Sequence, residues 1–468
     1  MLIFSHALPV TADELYYKAW SDHLQWSYFD HPPMVAYLNW VAQLLLGHHV
    51  NALRVMSLLV TCFVLGWLSV KTPFTTFPYL LLTPFAFWGG MLMTPDVPLA
   101  LFWVLYFSWW LKAEADLRQF AKDPVARVYR YSPVSPGRWM GGGIWLGLGL
   151  LSKYPMVLAV GSAAFLLLRT PLPFRYWRGF LLQLAVAFCF TLPIWIYNKP
   201  LHYAPLLFQL HHAASSTARW EWISFWGSLC VLVGFWPFYV LLRWLFSPQR
   251  FRDGANLVCF AFFVVPFVFI LGQSLTKHVE ANWALPSFLT VWPLVDKLLP
   301  APRFGRFHVS RGTLLSLGFL PAFLATILLG LALLFPGKII SPVRDRIARF
   351  RAENTLAERV AFDVERLKKK ELEPVSFALP LYAPSYQWVS CLRNVGLPAQ
   401  QLYPPGRMSH FTIPVSHPCD ARHVLFFIEK HQEDTLPSCF SLRQPLKNYD
   451  LKVGEVTLNQ WSLIYAAW

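Results

Sequence analysis

Charge is scarce in this sequence. Asp, Glu, Lys and Arg make up 14 % of 468 residues, where a soluble protein carries about a quarter. That shortage excludes the two or three ordinary soluble domains that length alone would suggest. Acid is scarcer than base, with 25 Asp and Glu against 40 Lys and Arg, a formal charge of +15. The excess base does not point to nucleic acid, because most of it lies in short loops between apolar runs. Positives in such loops set membrane orientation and meet anionic lipid heads. Cysteine is sparse, at 7 residues. Cys62, Cys189, Cys230 and Cys259 fall in apolar runs and read as small buried hydrophobes. Cys391, Cys419 and Cys439 lie in the C-terminal tail, where three thiols allow one disulfide at most. There is no HExxH pattern and no Cys/His cluster at ligand spacing, so no metal site is assigned. A divalent ion held by Asp13 and Asp96 would have no motif behind it. No cleavable signal is evident, since Met1 to Pro9 is too short for a span of about 20 residues. Inverted repeats, which would suggest a transporter, are not visible.

What is there is apolar sequence. Hydrophobic residues reach 56 % and mean hydropathy is +0.41. Trp and Phe are abundant, as in the aromatic belts at a lipid–water boundary. Runs of suitable length follow one another at about 52–70, 76–93, 98–112, 139–152, 155–169, 179–196, 223–243, 255–274, 283–299 and 313–335. The two around Lys153 are short and suit a broken or tilted pair. The stretch 34–46, after Pro32-Pro33, has polar breaks and suits a helix lying at the interface. The expected fold class is mainly α, a polytopic transmembrane bundle of about 10 spans plus interfacial helices.

Orientation follows from the loops. Alternate loops hold Lys71; Lys112, Arg118, Lys122, Arg127, Arg130 and Arg138; Arg169, Arg175 and Arg178; Arg243, Arg250 and Arg252; and Lys297, Arg303, Arg306 and Arg311. That is about seventeen positives on one side against roughly five on the other, and the rich side belongs in the cytoplasm. The opposite, extracytoplasmic face then receives Asp13, Glu14, Asp96, Lys153, Asn198, His211, His212, Lys277, His278 and Glu280. An ionisable group in hydrocarbon costs about 2.5–3.5 kcal/mol on insertion scales, so such groups line cavities with partners.

Past the last span the chain changes character. From Lys338 to Lys370 it is charged, with Ile347, Phe350, Leu356, Val360, Val364 and Leu367 at helical spacing. Short β-like runs follow at Pro374–Leu379, His423–Ile428 and Val456–Tyr465. Residues 1–337 are therefore expected to form the transmembrane domain, and 338–468 a small extracytoplasmic α/β domain.

Three groups of residues could do chemistry. Asp13-Glu14 lies in a loop rich in Tyr, Trp and His, where a carboxylate suits a general base; Asp13 as a helix cap is the alternative. Asp96, in Thr94-Pro95-Asp96-Val97-Pro98, is either another cap or a second carboxylate at the outer end of a membrane helix. Lys153 and the run Lys277-His278 could hold a phosphate by charge-assisted hydrogen bonds, with snorkelling the alternative for Lys153.

The residues also carry a resemblance. Asp13-Glu14-Leu15-Tyr16-Tyr17, followed by Tyr28-Phe29-Asp30-His31-Pro32-Pro33-Met34, resembles the first outer loop of bacterial GT-C glycosyltransferases. These are the enzymes related to the protein O-mannosyltransferases and the lipid A aminoarabinose transferase. Thr94-Pro95-Asp96-Val97-Pro98-Leu99 looks like their second acidic motif. Gly147-Leu148-Gly149-Leu150-Leu151-Ser152-Lys153-Tyr154, Trp195-Ile196-Tyr197-Asn198 and Glu280-Ala281-Asn282-Trp283-Ala284-Leu285-Pro286 are similar to later segments. The likeness covers about residues 10–335.

The resemblance implies that Asp13 is the base or acceptor-positioning carboxylate, supported by Glu14, and that Asp96 is a second essential acid. It places Lys153, Lys277, His278 and His31 at the donor phosphate, and Tyr17, Asp30, Asn198, Glu280 and Asn282 in substrate positioning. It further implies a polyprenyl-phosphate-linked sugar donor, inversion at the anomeric carbon, and a lipid, glycan or protein acceptor. A membrane helix is expected ahead of the Asp13 loop, with Leu2 to Leu8 as its tail. The competing readings are a transporter or flippase of a lipid-linked anion, and a scaffold binding partners through its tail.

Overall fold

The computed structural model describes residues 5–6, 8–71, 76–122, 134–169, 174–214, 221–248, 254–276, 279–298, 303–304, 307–308, 310–334, 341–370, 379–402, 408–412, 417–453 and 456–468. Two compact units divide the chain. The first comprises Met1–Leu2, Gln25–Leu45 and Ala52–Leu328; the second comprises Ile3–Leu24, Leu46–Asn51 and Leu329–Trp468. The C-terminal unit thus recruits the Asp13 segment, which the sequence grouped with the spans.

The first unit is helical. Its helices are α2 (Met34–Leu46), α3 (Val50–Lys71), α4 (Phe77–Leu81), α5 (Pro84–Phe87), α6 (Asp96–Lys122), α7 (Pro136–Leu150) and α8 (Val157–Arg169). They continue with α9 (Phe174–Asn198), α10 (Ala204–Ala214), α11 (Glu221–Val233), α12 (Trp236–Phe246), α13 (Gly254–Ser274), α14 (Leu285–Leu298) and α15 (Arg311–Leu334), α1 (Ala12–Asp22) belonging to the other unit. Helical structure stands at each expected span, and α2 is the helix expected at 34–46.

By length and composition alone, four described helices can cross a membrane, at Val50–Val70, Tyr176–Leu201, Gly254–Ser274 and Gly312–Leu333. The bent pair α11–α12 makes a fifth if it is one span. Some other expected runs are interrupted or short: Thr83-Pro84 splits 76–93, and Ser152-Lys153-Tyr154-Pro155 leaves α7 and α8 at 15 and 13 residues. Leu181, Phe188, Leu192 and Ile196 form an exposed stripe along α9, as a helix facing lipid shows.

Lipid tails are as apolar as a helix surface, so close packing rather than escape from water holds such helices together. On α7, Gly143 and Gly147 lie four residues apart and meet α9. A Cβ on Gly147 would come within 2.7 Å of Phe190, and one on Gly143 within 2.6 Å of the Gln183 carbonyl. Phe262 of the central α13 packs against Trp103, Tyr106 and Phe107 of α6. Tyr106 donates to Gln183 Oε1 at 2.8 Å, joining α6 to α9.

The second unit holds α1, α16 (Ser341–Lys370), α17 (Tyr386–Asn394) and a sheet, numbered after the two-residue hairpin strands β1 (Arg303–Phe304) and β2 (Phe307–His308) of the first unit. The sheet order is β4 (Ala399–Gln401), β3 (Leu381–Ala383), β5 (His423–Glu429), β7 (Val456–Ala467), β6 (Leu442–Val453). β3 pairs in parallel with β4 and β5, and β7 antiparallel with β5 and β6. β5 is buried on both faces: Val424, Phe426 and Ile428 join one core, while Phe427 stacks on Trp461 at 4.9 Å. This is the expected α/β domain, with α16 at the expected helix and β5 and β7 at the expected runs. The run Pro374–Leu379 lies outside the described residues except for Leu379. The one disulfide that the tail allowed is Cys419–Cys439, with Cα atoms 6.0 Å apart.

Candidate functional site

In the first unit, Asp96 opens α6 and its two carboxylate oxygens face two other segments. Lys153 Nζ donates to Oδ1 at 2.8 Å, and Asn282 Nδ2 to Oδ2 at 3.2 Å. Lys153 gets there because α7 ends at Leu150 and the chain turns extended at Lys153 before the short turn Tyr154–Met156. The peptide N–H of Met34 donates to the Leu151 carbonyl at 3.0 Å, pinning the start of α2 to that turn. Asn282 comes from the turn Ala281–Ala284 that leads into α14. The ion pair is largely enclosed, with 10 % of the Lys153 and 18 % of the Asp96 side chain exposed. An ammonium carries three donors and Asp96 takes one, so the other two remain for an anion. Both Asp96 oxygens are thus engaged, one by the ammonium and one by the amide.

Close by in the same unit, Asp30 is buried and its carbonyl accepts from Gln209 at 2.9 Å. The phenols Tyr154 and Tyr197 lie within electrostatic reach of its carboxylate. Both hydroxyls, and the side-chain oxygen of Asn198, are enclosed without a hydrogen-bond partner among the described residues. Asn198 ends α9, and its amide donates back to the Ile194 carbonyl at 2.9 Å. A buried polar group left unpaired costs about 1–3 kcal/mol, so these atoms suit a ligand rich in hydroxyls. His31 sits in the turn before α2, its carbonyl accepting from Tyr28. Glu280 is exposed and makes no capping bond at the turn it precedes. Lys277 and His278 lie outside the described residues.

In the second unit the structure decides between two roles for the acidic pair on α1. Thr11 is the N-cap: its hydroxyl accepts from the Glu14 N–H, and Glu14 Oε2 accepts the Thr11 N–H at 3.1 Å. Capping therefore falls to Thr11 and the buried Glu14, not to Asp13, which stands exposed on the first turn. Asp13 Oδ1 accepts the Tyr386 hydroxyl at 3.0 Å; Oδ2 has no partner among the described residues and can take a proton. Tyr17 is buried, edge-on to Trp20 at 5.0 Å. Among the described residues no group of three or more His, Cys, Asp or Glu could hold a metal ion.

Sequence reasoning assigned no role to Thr11, Tyr154, Tyr197 or Tyr386. Thr11 was findable, since Thr-x-x-Glu is the capping-box pattern; the phenols carried no local signal.

His410, also in this unit, tests the packing around Tyr16, whose hydroxyl accepts the His410 N–H at 2.7 Å. Burial first, then Arg393 and His23, depress the imidazole from 6.5 to about 3. The folded protein thus refuses a proton that the unfolded chain accepts below pH 6.5, so this contribution to stability is complete above 6.5 and shrinks as pH falls towards 3. The slope is at most about 1.4 kcal/mol per pH unit. Burial raises the carboxyl of Glu353, which acts in the opposite sense near the carboxylate range. Between pH 6.5 and 5, thermal unfolding should therefore move to lower temperature, and His410→Gln should flatten that slope.

No family model and no curated protein matches the sequence. The structure does match solved proteins. ArnT from Cupriavidus metallidurans in the apo state matches with a TM-score of 0.55 at 14 % identity, over 98 % of this chain and 93 % of that one. ArnT from Cupriavidus metallidurans bound to undecaprenyl phosphate matches with a TM-score of 0.56 at 15 % identity, over 98 % and 94 %. The chain thus has the GT-C fold that its motifs resembled.

Proposed function

We propose that this chain is a membrane glycosyltransferase moving a sugar from a polyprenyl-phosphate carrier to a hydroxyl of an extracytoplasmic acceptor, with inversion. The observation that carries the reading is the enclosed Lys153–Asp96–Asn282 cluster at the start of α6. It offers an oriented ammonium where a lipid-borne phosphate would need one. The likeness in fold to a protein crystallised with undecaprenyl phosphate supports the same donor class.

Asp13 Oδ2 removes the proton of the acceptor hydroxyl as that oxygen forms its bond to the anomeric carbon. The bond from that carbon to the phosphate oxygen breaks on the opposite face, and its electron pair leaves with the polyprenyl phosphate. Lys153 stabilises the charge that builds on the departing phosphate. The Tyr154 and Tyr197 hydroxyls and the Asn198 side-chain oxygen, without a partner among the described residues, meet hydroxyls of the sugar ring. The motif resemblance assigns Lys277, His278 and His31 to the donor phosphate with Lys153, and Asp30 and Glu280 to substrate positioning. The site belongs on the extracytoplasmic face of a multi-pass inner (plasma) membrane protein, by the loop charges.

The test is incubation of purified protein with radiolabelled polyprenyl-phosphate sugars and membrane extract. Label should pass from one donor to lipid, glycan or protein. Failure of every such donor, under conditions where the protein is folded, removes the reading.

A further inference from the structure

We propose that Tyr386, on the first turn of α17, is the positioning residue for Asp13: its hydroxyl holds one carboxylate oxygen and leaves the other to take the acceptor proton. This rests on the glycosyltransferase reading of Asp13 given above.

The contact joins residues 373 positions apart, Tyr386 donating to Asp13 Oδ1 at 3.0 Å. Neither partner needs it for local structure. The start of α1 is already closed by Thr11 and Glu14. The Tyr386 ring is held by its tilted contact with Tyr16, 4.6 Å between centroids. At the far end of α17, Arg393 donates to the Ala399 carbonyl at 2.6 Å and lies over Phe411 at 4.5 Å. Tyr16 is fixed in turn, edge-on to Trp20 at 4.9 Å and bonded to the His410 peptide. A rigid aromatic platform thus presents a single phenolic hydroxyl to an exposed carboxylate. The hydroxyl stops the carboxylate from rotating freely, so Oδ2 points one way. A hydrogen bond to an ionised acceptor is stronger than a neutral one, and misplacing a reacting group by a small distance has a large kinetic cost.

Tyr386→Phe removes only the hydroxyl and keeps the stack on Tyr16. Two measurements on the full chain test the proposal. Carbodiimide coupling of Asp13 to an amine, mapped by mass spectrometry, should speed up severalfold in Tyr386→Phe because the shielded oxygen is released. The kcat for transfer should fall about tenfold with donor KM within about twofold, an unchanged melting temperature, and no added loss in an Asp13→Asn background. Unchanged coupling overturns the proposal. Full kcat in Tyr386→Phe, with a wild-type protein that transfers, overturns it too and leaves the glycosyltransferase reading standing. No transfer by the wild type sinks that reading, and with it the reaction role of Tyr386.

Discussion

Asp13→Asn is expected to lower sugar transfer by about 10²- to 10⁴-fold, the range that a general base contributes, while the protein still folds. The substitution is nearly isosteric. Its amide oxygen can still accept the Tyr386 hydroxyl, which now bonds Oδ1 at 3.0 Å. The turn that carries the residue is closed by Thr11 and Glu14 and does not depend on it. What is lost is the basicity of Oδ2, the oxygen without a partner among the described residues. Single-turnover transfer by purified protein, set beside its thermal midpoint, separates the two effects. A variant that transfers at the wild-type rate takes Asp13 out of the chemistry.

The second large effect concerns Lys153. Lys153→Met leaves the Asp96 carboxylate enclosed without its cation, and removing one partner of a buried pair costs about 3–5 kcal/mol. The side chains are 10 % and 18 % exposed, so solvent replaces little of the lost interaction. Asp96→Asn combined with Lys153→Met should regain most of that stability, because no unpaired charge remains, and Asn282 can donate to the new amide oxygen. Transfer should stay absent in the single and the double variant alike. Thermal unfolding in detergent together with the transfer assay reads both. A double variant that regained transfer would reduce the pair to a structural strut, and a single variant as stable as the wild type would remove the buried pair itself.

The two carboxylates were alike in the sequence, each placed where either a cap or a catalytic group would sit. Their surroundings set them apart. Asp96 has both oxygens engaged and a cation at 2.8 Å; Asp13 has one oxygen held and one open. Glu14, adjacent to Asp13, went to helix capping through a pattern of four residues that is local and therefore readable. The phenols Tyr154 and Tyr197 stood inside quoted motifs, yet nothing in those motifs said that their hydroxyls would be enclosed without a partner among the described residues.

The apolar runs, the charged stretch after 337, the alternating strands of the tail and the loop-charge asymmetry are properties of neighbouring residues. Burial of backbone in lipid or in a sheet demands these patterns over a few turns, so the amino-acid sequence by itself determined the helical bundle and its appended α/β domain. Which acid meets which base is a different matter. Lys153 and Asn282 reach Asp96 from 57 and 186 positions away, and Tyr386 reaches Asp13 from 373. A hydrogen bond depends on tenths of an ångström at its ends and not on the chain between them. Those partnerships, and the grouping of the Asp13 segment with the C-terminal unit, were decided by tertiary packing.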